Sequence, residues 1–215
     1  MIEEKEIQEN KERFITLLRS IKRENADIEG LIKKLESSDF FTAPASTQYH
    51  GSFKGGLCKH SLNVYAQLKK LVSIEYPKFI AEERELKEVD NYSCPISEDS
   101  IIITALLHDL SKMNFYEISL RNVKDEKGSW VQVPFIKVRD SKDRFIYSTH
   151  GANSEYMIQA FIPLKLEESV AIINHMGMSD NSDHNQELSV IYNRYTLALL
   201  LHSADMLATF FDEKI

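Results

Sequence analysis

Residues 100–115 read SIIITALLHDLSKMNF. Ile101, Ile102, Ile103, Ala105, Leu106 and Leu107 leave the segment no polar face, the pattern of a helix buried on all sides. His108 and Asp109 then interrupt the apolar run side by side. A carboxylate taken out of water without a partner is costly, and a pairing charge or a metal is the usual remedy. Just upstream, NYSCPISEDS is a helix-entry signal, with Pro95, Ser97 as cap, and Glu98 and Asp99 in the first turn. The stretch therefore predicts a central core helix, open from Ser97 to about Met113, that holds a charge-compensated site.

Working outward, the rest of the chain predicts further helices around this one. Only 7 Gly and 5 Pro occur in 215 residues, so helix breakers are scarce. Ile7, Phe14, Ile15, Leu17, Leu18 and Ile21 fall near helical spacing between Lys5 and Arg23, an amphipathic helix with a solvated face. A shorter helix follows over Asp27–Glu36, then a loop through Pro44, Gly51 and Gly55–Gly56. Helical periodicity returns from Leu57 to Tyr76 and carries His60. Pro77 ends or kinks that helix, and a charged helix is expected over Phe79–Val89. Residues 116–148 differ in character: VQVPFIKV has β-type composition after the turn-like KDEKGSW, which predicts a β-hairpin or a loop excursion. Helices resume over Ala152–Phe161 and Leu166–His175. A polar loop is expected at Asp180–Gln186, then one long apolar helix from Leu188 to Asp212 with His202 and Asp205. No repeat or composition break divides the chain, so the expectation is one all-α domain spanning 1–215, with a small β-hairpin insertion.

Charge and composition narrow the function classes. The formal net charge of −7 supplies no global positive field for a nucleic-acid backbone. That disfavours duplex binding but leaves room for a small anionic ligand in a local cationic pocket. Cys58 and Cys94 form no CxxC pair and read as reduced thiols. The acidic, polar N-terminal stretch has no signal-peptide core, and no apolar run nears the roughly 18 residues a membrane span needs. A cytoplasmic protein without membrane contact is expected.

Five of the seven histidines, His60, His108, His150, His175 and His202, lie on or beside apolar helical segments. A lone histidine there reads as a hydrogen-bonded core residue. Two core carboxylates, Asp109 and Asp205, change that reading, because a shared cation offsets both. Imidazole nitrogen mixed with carboxylate oxygen suits Mn, Fe, Co, Ni or Zn. Adjacent helix positions diverge by about 100°. His108 and Asp109 can therefore both ligate if a metal sits between their directions, or if the carboxylate bridges two metals.

The ordered set resembles the HD-domain metal-dependent phosphohydrolases. It comprises His60 in GGLCKHSLNVY, His108–Asp109 in LLHDLSK and Asp205 in LHSADML, with His150 in STHGANSEYM and His175 in AIINHMGM. The stretch APASTQYHGSFKGGL is most similar to the branch of bacterial 3′–5′ exoribonucleases and related bacterial or phage hydrolases. The resemblance covers about residues 39–211, with 1–38 as an N-terminal helical extension. It implies an HD-like helical core and one or two divalent metals. One metal would take His60, His108, Asp109 and Asp205; a second would share Asp109 with His150 and His175. It further implies an enzyme that cleaves a phosphate ester of a nucleotide or short oligonucleotide with a metal-activated water, Asp109 being catalytic.

Several neighbours add to this reading. Lys112 shares the helix face of His108 and Asp109 and reads as a catalytic phosphate clamp, or else as a solvated lysine at a helix end. His50, in the loop before His60, reads as a substrate contact or an ordinary loop residue. His202 suits an orienting role behind the ligands, and His184 reads as exposed. Ser148, Thr149, Asn153 and Ser154 could line a pocket. The chain departs from its branch at Lys59, where an acidic residue is usual, and at Ser111, where Gly is common. It also leaves no length for the OB domain that exoribonucleases of this branch carry. The alternatives are an inactive HD-like nucleotide-binding or sensor domain, and a helical protein whose His and Asp residues form buried networks. The N-terminal helix offers a face for a second copy of the chain.

Overall fold

The computed structural model describes residues 3–83, 96–178 and 182–213; the side chains of 75–83 and 182–184 fall outside that description. Among the described residues are eight α-helices: α1 (Glu4–Ser20), α2 (Ile28–Glu36), α3 (Gly56–Glu83), α4 (Glu98–Leu107), α5 (His150–Gln159), α6 (Leu166–Ile173), α7 (Ser182–Arg194) and α8 (Thr196–Leu207). Two antiparallel strands, β1 (Tyr116–Lys124) and β2 (Trp130–Val138), form the one sheet among those residues. The chain is thus mostly helical with a small hairpin, as its composition predicts. No described helix is long and apolar enough to cross a membrane.

Helix α4 is the axis of the core. Every residue from Ser100 to Leu107 is buried, and α1, α3 and α6 pack around it. Ser97 caps it by accepting the Ser100 N–H at 3.1 Å, which satisfies one of the four N–H groups a helix start leaves open. The amphipathic face of α1, offered by the sequence to a second copy, is buried within the chain: Phe14 and Leu18 are fully enclosed. Phe14 packs edge-on to Phe40 and Phe41 from the loop after α2.

Four expectations need correction. Helix α4 stops at Leu107 instead of reaching Met113. Helix α3 continues to Glu83, past Pro77, a proline in a helix removing a single backbone donor. The expected polar loop at Asp180–Gln186, of which 180–181 lie outside the described residues, is helical from Ser182; Ile191 and Tyr192 pack against the core and Leu188 is buried, which gives α7 an apolar face. The long helix over Leu188–Asp212 is divided at Tyr195, whose φ of −123° and ψ of 91° are extended, and it ends in a π-helical turn at Ala208–Asp212. Cys94, the remainder of the expected charged helix to Val89 and the exposure of His184 lie outside the described residues.

The hairpin keeps the predicted turn: Asp125 Oδ1 accepts the N–H groups of Lys127 and Ser129 at 2.9 and 2.8 Å. Its register runs from Tyr116 opposite Val138 to Lys124 opposite Trp130.

One buried ion pair ties the N-terminal helices to the core. Arg23 donates to both oxygens of Glu168, at 2.9 and 2.6 Å. Ser100 Oγ and the Lys165 N–H fill the remaining acceptor positions at 2.7 and 2.8 Å. Burial pushes the Glu168 pKa up, but hydrogen bonds from Arg23, Lys165 and Ser100 outweigh it and hold the group below its ordinary 4.5. A depressed folded-state value means that stability is present in full above the unfolded pKa and is lost as pH falls through the folded one. Glu168→Gln is expected to lower unfolding free energy by about 3 kcal/mol at pH 7, since it leaves the Arg23 charge uncompensated. The difference from wild type should shrink as pH drops below about 4. Denaturant unfolding across that range tests this, and equal stabilities at pH 7 would contradict it.

Candidate metal centre

The early end of α4 resolves the problem of two adjacent ligands. His108 keeps helical angles, φ −53° and ψ −33°, while Asp109 leaves the helix at φ −104°, ψ 19°. A short 3-10 turn, Leu110–Lys112, follows. An unbroken helix would set adjacent side chains about 100° apart; here His108 Nε2 and Asp109 Oδ2 come within 3.5 Å of each other.

Four other elements deliver side chains to the same place: His60 from α3, His150 as the first residue of α5, His175 just past α6, and Asp205 from α8. Each oxygen of Asp109 faces two imidazoles. Oδ1 is 2.5 Å from His150 Nε2 and 3.6 Å from His175 Nε2. Oδ2 is 3.5 Å from His108 Nε2 and 3.8 Å from His60 Nε2. Asp205 Oδ1 lies 3.2 Å from His60 Nε2. The donor atoms of His60, His108 and Asp109 all fall within 4.8 Å of one another, as do those of Asp109, His150 and His175, and those of His108, His175 and Asp205. The six residues singled out in the sequence are therefore brought together around one carboxylate, and such buried groups could hold a metal ion.

The outer nitrogens of the four rings say how they are poised. His108 Nδ1 meets the Ala105 carbonyl at 2.9 Å and His175 Nδ1 meets the Ile172 carbonyl at 2.6 Å. A carbonyl only accepts, so each Nδ1 carries a proton, and in the neutral ring Nε2 then presents a lone pair. Both Nε2 atoms are buried without a hydrogen-bond partner. Buried polar atoms are rarely left so, and an inward lone pair on a buried imidazole is what a cation binds. His150 Nδ1 faces Ser111 Oγ at 2.9 Å, and His60 Nδ1 faces Glu213 Oε1 at 3.0 Å. The donor set and its outward anchoring fit a divalent transition metal.

The electrostatics agree. Burial drives the Asp109 pKa upward, yet the Lys112 charge above all, with the hydrogen-bonded His150, outweighs it and holds the carboxyl well below its ordinary value. Asp205 is likewise depressed against burial, chiefly by His60. Burial alone would lower His60, but its hydrogen bonds to Asp205 and Glu213 push it up to about 10. The space between the carboxylates is thus one that favours positive charge. His108, buried most deeply among these rings, is driven down to about 4, chiefly by desolvation, and stays neutral.

Neighbouring residues fall into place around the cluster. Lys112 Nζ contacts Asp109 Oδ2 at 2.6 Å, so it points into the site and not into solvent. The His50 ring lies 4.8 Å from that of His60, and burial, with the nearby His60 and Lys112 charges, lowers its pKa. A Cβ on Gly56 would stand 1.9 Å from the Gly51 carbonyl oxygen, so glycine there allows the His50 loop to close on α3. His202 Nδ1 meets the His175 carbonyl at 2.8 Å, an orienting contact behind the site. Lys59 pairs with Glu6 of α1 at 2.8 Å and points away. Asn153 and Ser154 are buried supports: Asn153 Oδ1 accepts the Tyr147 and Ser148 N–H groups at 2.9 and 2.7 Å.

Two residues acquire roles the sequence did not assign them. Ser111 Oγ can accept from His150 Nδ1 and Ser154 Oγ while donating to the His150 carbonyl, at 2.9, 3.0 and 3.2 Å, so the small hydroxyl fixes the ring. Glu213 receives both His60 Nδ1 and Asn63 Nδ2, each at 3.0 Å. Its sequence signal is slight: it follows Asp205 by about two helical turns.

No family model, curated protein or solved structure matches this chain.

Glu213→Gln and Ser111→Ala should each weaken divalent-metal binding by about 10- to 100-fold, the usual effect of removing the partner that orients a ligating imidazole. Calorimetric titration with Mn²⁺ or Zn²⁺ reads this, with circular dichroism checking the fold. Affinities equal to wild type would show that the outer contacts do not orient ligands.

Proposed function

We propose that the chain is a metal-dependent phosphohydrolase of the HD-domain type, acting on a nucleotide or short oligonucleotide. The observation that carries this reading is the convergence of four imidazole Nε2 atoms on the two oxygens of Asp109. His60, His108, Asp109 and Asp205 would hold one ion, and Asp109, His150 and His175 a second. When bound, such ions lower the pKa of water towards neutrality and neutralise charge on phosphoryl oxygens.

The chain's own residues supply the rest. Asp109 presents one oxygen to each pair of histidines, which suits a bridging carboxylate. Burial lowers the Lys112 pKa, but the Asp109 charge outweighs it and the pKa is raised, so the ammonium stays charged beside the cluster and can take a phosphate oxygen. His50, its pKa lowered, offers a neutral ring at the His60 side. The overall charge of −7 favours a small phosphorylated substrate over a long polyanion.

A second reading, nucleotide binding without turnover, draws on one contact. Lys112 already compensates Asp109 at 2.6 Å, which reduces the electrostatic need for a metal. Assays against a panel of phosphomonoesters and phosphodiesters with Mn, Fe, Co, Ni or Zn separate the two. Metal-dependent hydrolysis is expected, lost at least about 100-fold in His108→Ala and Asp109→Ala, no less than for removal of an outer contact. Lys112→Ala should lower kcat about 100- to 1,000-fold, as removal of a transition-state donor does, with metal content retained. Nucleotide binding with no turnover under any of these metals would favour the second reading.

A further inference from the structure

Three aromatic rings stand together on the surface beside the metal centre. Tyr156, on α5, stacks on Tyr147 at 4.7 Å between centroids and on Phe145 at 5.8 Å, with interplanar angles of 26° and 17°. They are far from core-like: Phe145, Tyr147 and Tyr156 are 40, 64 and 53% exposed. The segment that carries two of them is held at both ends. The Arg144 guanidinium lies over the Phe115 ring at 4.9 Å, and the buried Asn153 accepts the N–H groups of Tyr147 and Ser148. The rings are therefore pre-organised, which limits the ordering cost of a ligand.

Their position relative to the site follows from exposure and chain connectivity. Among the six proposed metal residues, the side chains of His60, His108, Asp109 and His175 are at most 3% exposed, whereas His150 is 25% and Asp205 19% exposed. His150 and Asp205 are thus the solvent-reached members of the cluster, and His150 opens the helix that carries Tyr156. Tyr147 is three residues before His150, so their Cα atoms lie within about 11 Å, a span that a single nucleotide bridges. The local charge also suits a phosphorylated ligand. Residues 116–147 carry seven Lys and Arg against five Asp and Glu, the reverse of the chain's 26 against 33.

We propose that Phe145, Tyr147 and Tyr156 form a nucleobase-stacking platform at the entrance of the metal centre, holding the base of the nucleotide whose phosphate reaches His150 and Lys112. This assignment rests on the phosphohydrolase reading. Aromatic rings accept any base through its π-face, so the platform selects for a base over none and not for one sequence.

The test is equilibrium binding of a phosphorothioate dinucleotide bearing 2-aminopurine, and of its abasic counterpart, to wild type, Tyr147→Ala and Tyr156→Ala. Wild type should quench the 2-aminopurine fluorescence and prefer the base-bearing probe by about 5- to 150-fold, the range of one stacked base. That preference should collapse in both variants and return in Tyr147→Phe and Tyr156→Phe, which keep the ring. Circular dichroism and metal content should match wild type, as the rings are exposed. Equal affinity for the two probes, or unquenched fluorescence, overturns the platform, including the case in which these rings dock a protein partner. A wild type that hydrolyses phosphate esters without base preference overturns the platform alone. Quenching and base preference without turnover overturn the hydrolase reading and retain the platform.

Discussion

A carboxylate at the end of an apolar helix has to be compensated, and Asp109 is compensated from every side. Isolated in a low-dielectric interior, its charge would cost several kcal/mol even after relaxation. Lys112 pairs with it and four imidazoles surround it instead, drawn from four stretches of the chain: residues 108–112, His60, His150 and His175. Helices α3, α4, α5 and α6 are packed so that these groups meet, and α8 adds Asp205. Much of the local structure serves that meeting. Helix α4 ends before Asp109, and the Asp39 carboxylate takes the Asn114 N–H at 2.6 Å, holding the following turn against the loop after α2. A Cβ on Gly151 would lie 2.4 Å from the Ile173 carbonyl oxygen. Glycine there lets α5 approach α6 closely enough for His150 and His175 to face the same oxygen.

The rings are oriented from behind. Each of the four has its Nδ1 engaged by a carbonyl, a hydroxyl or a carboxylate, and each turns Nε2 inward. A packed helical core needs polar groups satisfied, yet His108 and His175 keep buried Nε2 atoms without hydrogen-bond partners. A cation held between these atoms and the Asp109 oxygens, 3.5 and 3.6 Å away, would satisfy both. The same geometry separates the site into two halves across one carboxylate, and this is the basis for assigning two ions instead of one.

Much of this was legible in the sequence because burial and helical period leave strong traces. The run from Ile101 to Leu107, apolar except for Thr104, marked α4 as central, and Ser97 marked its start. The two core carboxylates among histidines pointed to a shared cation, and the ordered set of six came from the resemblance to the HD-domain phosphohydrolases. What the sequence hid depends on tertiary context. The break after Leu107 carries no Pro or Gly that would mark it in the sequence. The first turn of α7 looked like a loop because its residues are polar, while the part from Leu188 onward was read as helix. Ser111 read as a departure at a small-residue position, although its hydroxyl holds His150. Glu213 gave little warning, since its partner His60 lies 153 residues away in the chain.

The central proposal is that Asp109 would be shared by two metal ions, one held with His60, His108 and Asp205 and the other with His150 and His175. Elemental analysis of the purified protein after reconstitution with a divalent transition metal tests it most directly, in parallel with His175→Ala. The account predicts two ions per chain in wild type and one in the variant, which retains His60, His108, Asp109 and Asp205. A wild-type protein that takes up no metal and keeps its thermal stability in chelator would contradict it.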